Sequence, residues 1–204
     1  MKLRERRQSG RLTKRELRQS LSGSGRKWIK EVWQAASGTS GDLNRLSPVT
    51  TPLGNQLVES YGATHGLPGT EIQRALRIAT VAGYASRMVL VEPTEQPALH
   101  LSAFGLQGRP DLERLAADPT PLLEPTRTVA TERFGEVMTL PPEVWNGYVV
   151  TATMKLQAQV ATRTLTWREL GRERIEQMLR YGYVLRCLDE ALGAEPELRA
   201  TSTE

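Results

Sequence analysis

The sequence predicts an α+β fold, predominantly helical, with a small β-hairpin in its first half and an antiparallel helical hairpin toward its C-terminal end. Three observations carry this. Apolar residues recur at three- and four-residue spacing over most of the chain beyond Thr51. Between Met88 and Phe104 that period gives way to short apolar runs around a segment carrying Pro93 and Pro97. Thr, Pro and Gly stand at the positions that start and stop helices. The 204 residues suit one domain or two small ones. The expected division is a basic N-terminal arm and linker over 1–41, a helix-and-hairpin domain over 42–106 and a Pro-rich connector over 107–140. A helical hairpin over 141–193 and a disordered tail over 194–204 follow.

Within the arm, Thr13-Lys-Arg-Glu16 is a capping box that can open a short helix to about Leu21. After Ser22–Gly25, the residues Trp28, Ile29, Val32 and Trp33 make one apolar stripe two turns long, a length suited to docking on the protein's own core. Thr51 and Pro52 then start a helix over 52–61, where Leu53, Leu57 and Tyr61 share a face and Gly62 suits the position just past the end. Thr70-Glu-Ile-Gln73 is a second capping box. It opens a helix over 71–82 whose inward face is Ile72, Ala75, Leu76 and Ala79, and Gly83 ends it. Met88–Val91 and Ala98–Phe104 read as the two strands of a hairpin. A short helix over 111–117 interrupts the connector, and Val137–Leu140 is a further candidate strand. From Pro141-Pro142, the residues Trp145, Tyr148, Val149, Ala152, Leu156 and Val160 recur at helical spacing. Thr166-Trp-Arg-Glu169 opens the last helix, which runs to Leu192 before Gly193, two or three residues after its predecessor.

Several function classes are excluded or disfavoured. No stretch approaches the ~18 consecutive apolar residues of a membrane-spanning helix. The first residues, MKLRERRQSGRL, lack the apolar segment of a secretory signal, so a cytoplasmic protein is expected. The one cysteine, Cys187, permits no internal disulfide or thiolate zinc site and reads as a small buried apolar residue. His65 and His100 are far apart and lack ligand-spaced partners. The acidic pairs Glu92/Glu95, Asp111/Glu113 and Glu132/Glu136 fall in loops or helix turns. The expectation is therefore no enzyme, no metal and no cofactor.

The charge is more informative than its net value of +4. Eleven Lys and Arg within residues 1–30 face only Glu5 and Glu16, a net +9 that leaves −5 on the rest of the chain. A basic arm on a mildly acidic body is the distribution of a segment with its own polyanionic partner. Arg4, Arg6, Arg7, Arg11, Lys14, Arg15, Arg18, Arg26, Lys27 and Lys30 are the candidate phosphate contacts, each able to release a counterion on binding.

The order of helix 52–61, turn, helix 71–82, Gly83 and hairpin 87–104 resembles a winged helix-turn-helix, and Thr70–Gly83 resembles that family's recognition helix. The resemblance covers about residues 43–104. It implies a winged-helix-like unit that reads nucleic acid, DNA before RNA, with Gln73, Arg74 and Arg77 facing base edges and Thr80 beside them. Thr70 would then hold backbone phosphate at a helix N-terminus, and Arg87 would do so at the base of the wing. The expected partners are DNA or RNA, together with a second copy or another protein bound through the C-terminal helices, and no membrane. The alternative is a structural or assembly subunit of a larger protein or nucleoprotein complex, whose arm orders on binding.

Overall fold

The computed structural model describes residues 30–34, 36, 41–67, 70–90, 101–108, 110–160 and 171–198, and among them every regular element is helical. The α-helices run α1 (Thr50–Thr64), α2 (Thr70–Leu90), α3 (Leu112–Ala117), α4 (Leu123–Thr131), α5 (Phe134–Val137), α6 (Pro142–Val160) and α7 (Arg172–Leu192). Short 3-10 turns occupy Leu43–Arg45 and Thr120–Leu122.

Helix α1 begins at Thr50, where the Ser47 hydroxyl oxygen accepts from the amides of Val49 and Thr50 at 3.2 Å each. Capping from outside the first turn satisfies donors that the helix itself leaves free. Leu53, Leu57 and Val58 face the core, and the helix continues past Gly62 to Thr64. The connector is helical over α3, α4 and α5. Asp111 caps α3 by accepting from the amides of Glu113 and Arg114.

The expected β-hairpin is not there. Met88 to Leu90, which read as its first strand, are the last turn of α2, and residues 101–103 of its second strand are helical. Residues 91–100, the remainder of the hairpin and His100 with it, lie outside the described residues. Among the described residues no strand occurs, and Val137–Leu140 supplies none either, since Val137 closes the short helix α5. The winged-helix-like unit is thereby overturned.

Helix α2 runs through Gly83 because of its partner. The predicted inward residues Ile72, Ala75, Leu76 and Ala79 are buried, and from Ile78 to Arg87 every residue is buried whichever way it faces. The most extensive partner of α2 is α7. A Cβ added at Gly83 would overlap the Leu179 carbonyl oxygen, and one added at Gly182 would overlap the Thr80 carbonyl oxygen. Two glycines thus let the backbones of two 21-residue helices touch. Backbone contact over that length outweighs the ~1 kcal/mol by which each glycine weakens a helix interior.

Helices α6 and α7 do pack on one another, and the expected short connection between them falls on residues 161–170, outside the described residues. The capping box at Thr166 lies outside the described residues, and α7 starts at Arg172. It ends as expected, with Gly193 in the left-handed region at φ 70°. The buried apolar cluster draws on Val32 and Trp33, on α1, α2, α4, α5, α6 and α7, and on Leu198 in the segment expected to be a disordered tail. The Leu198 amide donates to the Arg45 carbonyl at 2.7 Å. No helix of the described residues is long and apolar enough to cross a membrane.

Candidate nucleic-acid interface

The arm cations Arg4, Arg6, Arg7, Arg11, Lys14, Arg15, Arg18, Arg26 and Lys27 lie outside the described residues. Lys30 is exposed, on the first helical residue that leads to buried Val32 and Trp33. The Trp33 ring carries the Lys155 ammonium of α6 at 5.3 Å from its centroid.

The residues expected to form a reading face on α2 part company. Thr70 and Arg74 are exposed. Gln73 is drawn against α1: a Cβ on Gly62 would overlap its side-chain amide nitrogen, and its Oε1 is buried without a hydrogen bond. Arg77 reaches Glu59 of α1 with its Nη2 at 3.7 Å, both side chains being well exposed at 41% and 65%. An exposed pair of this kind holds weakly, ~0.2–1 kcal/mol, yet it offsets the positive charge of the face. Thr80, expected to point outward beside them, is buried and donates to the Leu76 carbonyl at 3.0 Å. Among the described residues, the first two turns of α2 therefore offer solvent one cation with no carboxylate paired to it, Arg74, in place of a row.

Arg87 is the clearest reversal. The winged-helix resemblance places it on phosphate at the base of a wing, yet it is 0% exposed. Its Nε and Nη2 donate to Glu190 Oε2 at 3.0 and 2.8 Å. Its Nη1 donates to Thr139 Oγ1 at 2.9 Å and to the Tyr183 hydroxyl at 3.2 Å. Arg186 shares the same carboxylate through Oε1 at 3.3 Å. A guanidinium buried in this way is fixed by its fork of donors and stays with its carboxylate.

The residue just before Glu190 gives α7 a second carboxylate, and this one is buried. Asp189 accepts from Ser47 at 2.5 Å, from Thr50 at 2.9 Å and from Tyr84 at 2.5 Å. Burial pushes its pKa up to about 6, against the opposing pull of those three hydroxyls and of Arg186. Neither cluster follows from the sequence reading. The signal available was faint: Asp189 stands seven residues after Gly182 and four after Leu185, on a face otherwise apolar. A carboxylate there needs donors from elsewhere in the chain.

Other candidate groups are committed locally. Glu136 pairs with Arg133 at 2.7 Å, and that hydrogen bond holds its carboxyl below the usual range. His65 is exposed at the C-terminal end of α1. Among the described residues no group of three or more His, Cys, Asp or Glu could hold a metal ion. Comparison of the chain with protein-family models, with curated proteins and with solved structures finds no match.

Proposed function

We propose that this chain is a non-catalytic nucleic-acid-binding protein, in which the basic arm over residues 1–30 holds the phosphate backbone and the helical body serves as its mount. The observation that carries the reading is the partition of charge, +9 on the first thirty residues against −5 on the rest. The body's own cations support the same assignment. Six of them, Arg77, Arg87, Arg127, Arg133, Arg180 and Arg186, each have a carboxylate within 4 Å, which lowers their availability to phosphate. Binding of this kind is sequence-blind and salt-sensitive, because its free energy comes from released counterions.

The test is affinity for duplex DNA and for single-stranded RNA as a function of salt. On duplex DNA the full chain should lose affinity with a log–log slope approaching about −8 if all nine net charges engage. Removing residues 1–27 should flatten the slope and abolish measurable binding while the melting temperature holds. Replacing Arg74 and Arg77 together by Ala should change little. If the truncated chain binds as tightly as the parent, or if the double variant alone destroys binding, the arm is not the contact.

A further inference from the structure

The arm joins the body through helical residues 30–34, where Val32 and Trp33 are buried while Lys30 is exposed. Lys30 stands three residues before Trp33, so the two share a side of that helix. From the other side of the joint, α6 brings Lys155, an exposed residue whose ammonium lies 5.3 Å from the centroid of the Trp33 ring. Packing thus carries a cation from the second half of the chain to the root of the arm.

Three further observations single this cation out. The first is its surroundings in the sequence. Residues 144–168 hold no Asp or Glu, the longest such run in a chain whose part beyond residue 30 is −5 overall. Within α6 the one carboxylate is Glu143, in the first turn. The second is its partners. Among the described residues Lys155 has no carboxylate within 4 Å, unlike the six paired arginines. The third is residue type. Apart from Lys2, Lys14, Lys27 and Lys30, Lys155 is the chain's one lysine. A guanidinium fork matches a carboxylate, whereas an ammonium is a compact point charge that meets phosphate from any direction. The ring does not use this charge up. Cation–π attraction fixes where the ammonium stands and leaves N–H donors to reach an oxygen on its outer side.

We propose that Lys155 extends the phosphate contact of the arm onto the body, so that a nucleic-acid backbone held by residues 1–30 runs past Lys30 to the ammonium seated on Trp33. This rests on reading the arm as the nucleic-acid contact. The contact is to phosphate alone and carries no base preference.

The experiment follows duplex DNA binding of the full chain against salt in the parent, Lys155→Gln, Lys155→Arg and Arg74→Gln. Lys155→Gln should weaken binding about three- to tenfold near 0.1 M salt and make the log–log slope shallower by about 0.9, one released counterion fewer. Lys155→Arg should keep the parent slope, and so should Arg74→Gln, which removes the same charge from α2. A lysine that merely staples the arm's root to α6 would lower the melting temperature and leave the slope alone. Brief acetylation read by mass spectrometry gives a second measure: bound duplex should slow modification of Lys155 severalfold. An unchanged slope in Lys155→Gln, an equal change in Arg74→Gln, or Lys155 acetylated as fast with duplex as without would each overturn the proposal. Protection of Lys155 by poly-L-glutamate as strong as that by duplex would overturn phosphate as its ligand. If removing residues 1–27 leaves binding intact, the reading of the arm falls and this extension with it. If that removal abolishes binding while Lys155→Gln matches the parent, the extension alone falls.

Discussion

Three hydroxyl donors converge on the Asp189 carboxylate, and they do not fully replace the water it has lost. Its pKa of about 6 lies above the ordinary 3.8, so the folded chain holds this proton more tightly than the unfolded chain does. The stabilisation linked to that proton is complete below pH ~4 and is lost as the pH rises through about 6. Asp189→Asn removes the titration. The stability of the parent relative to the variant should therefore fall by on the order of 2–3 kcal/mol between about pH 4 and about pH 7, as read from urea midpoints. A difference that is flat with pH would contradict this account. Two residues away, Cys187 is fully buried and its thiol is pushed up to about 12, chiefly by that burial. Thiol reagents should label it only through opening of the body, at a rate that climbs with urea well below the unfolding midpoint. Rapid labelling of the native chain would show that the α2–α7 contact opens by itself.

At the scale of elements, the contact between α2 and α7 is the joint on which the body turns. In an isolated helix, replacing Gly83 or Gly182 by Ala would gain about 1 kcal/mol of helix propensity. Here each added methyl meets a backbone carbonyl that cannot rotate away. Each substitution should destabilise by about 1–3 kcal/mol or more, visible as a lower melting temperature. Gly135 is the control: a Cβ added there would meet nothing within 4 Å, so Gly135→Ala should stay within about 0.5 kcal/mol of the parent. Met88–Leu90 reads as strand because three apolar residues in a row are too few to show a helical period, and in the helix Met88 and Val89 are half-buried. A helix that is apolar on one face shows its period, as Ile72, Ala75, Leu76 and Ala79 do. Gly83, which reads as a helix stop by its type, is in fact a contact point, and only the presence of Gly182 opposite it tells the two apart.

For the molecule as a whole, local chemistry and long-range pairing divide what was legible. The split between a +9 arm and a −5 remainder is arithmetic on the chain and needs no fold. The helical stretches around α1, the first part of α2, α6 and the end of α7 were also determined by the sequence alone, because period and terminal residues act within a turn or two. The sequence spaces Arg172 and Glu176, Glu176 and Arg180, and Arg186 and Glu190 four residues apart along the last helix, and the second and third of these pair in the structure, since i,i+4 neighbours need only the helix. Arg172 instead turns its guanidinium to Asn146 of α6 at 3.4 Å. What only the tertiary structure decided is which polar side chains are free to act. Arg87 looks like a surface cation until Glu190, 103 residues on, accepts from it inside the core. Gln73 looks like a reader until Gly62 leaves room for it to fold against α1. The physical reason is common to both: exposure and charge compensation depend on neighbours that packing brings from distant parts of the chain, whereas the period of a helix and the sum of its charges are set by residues within its own reach.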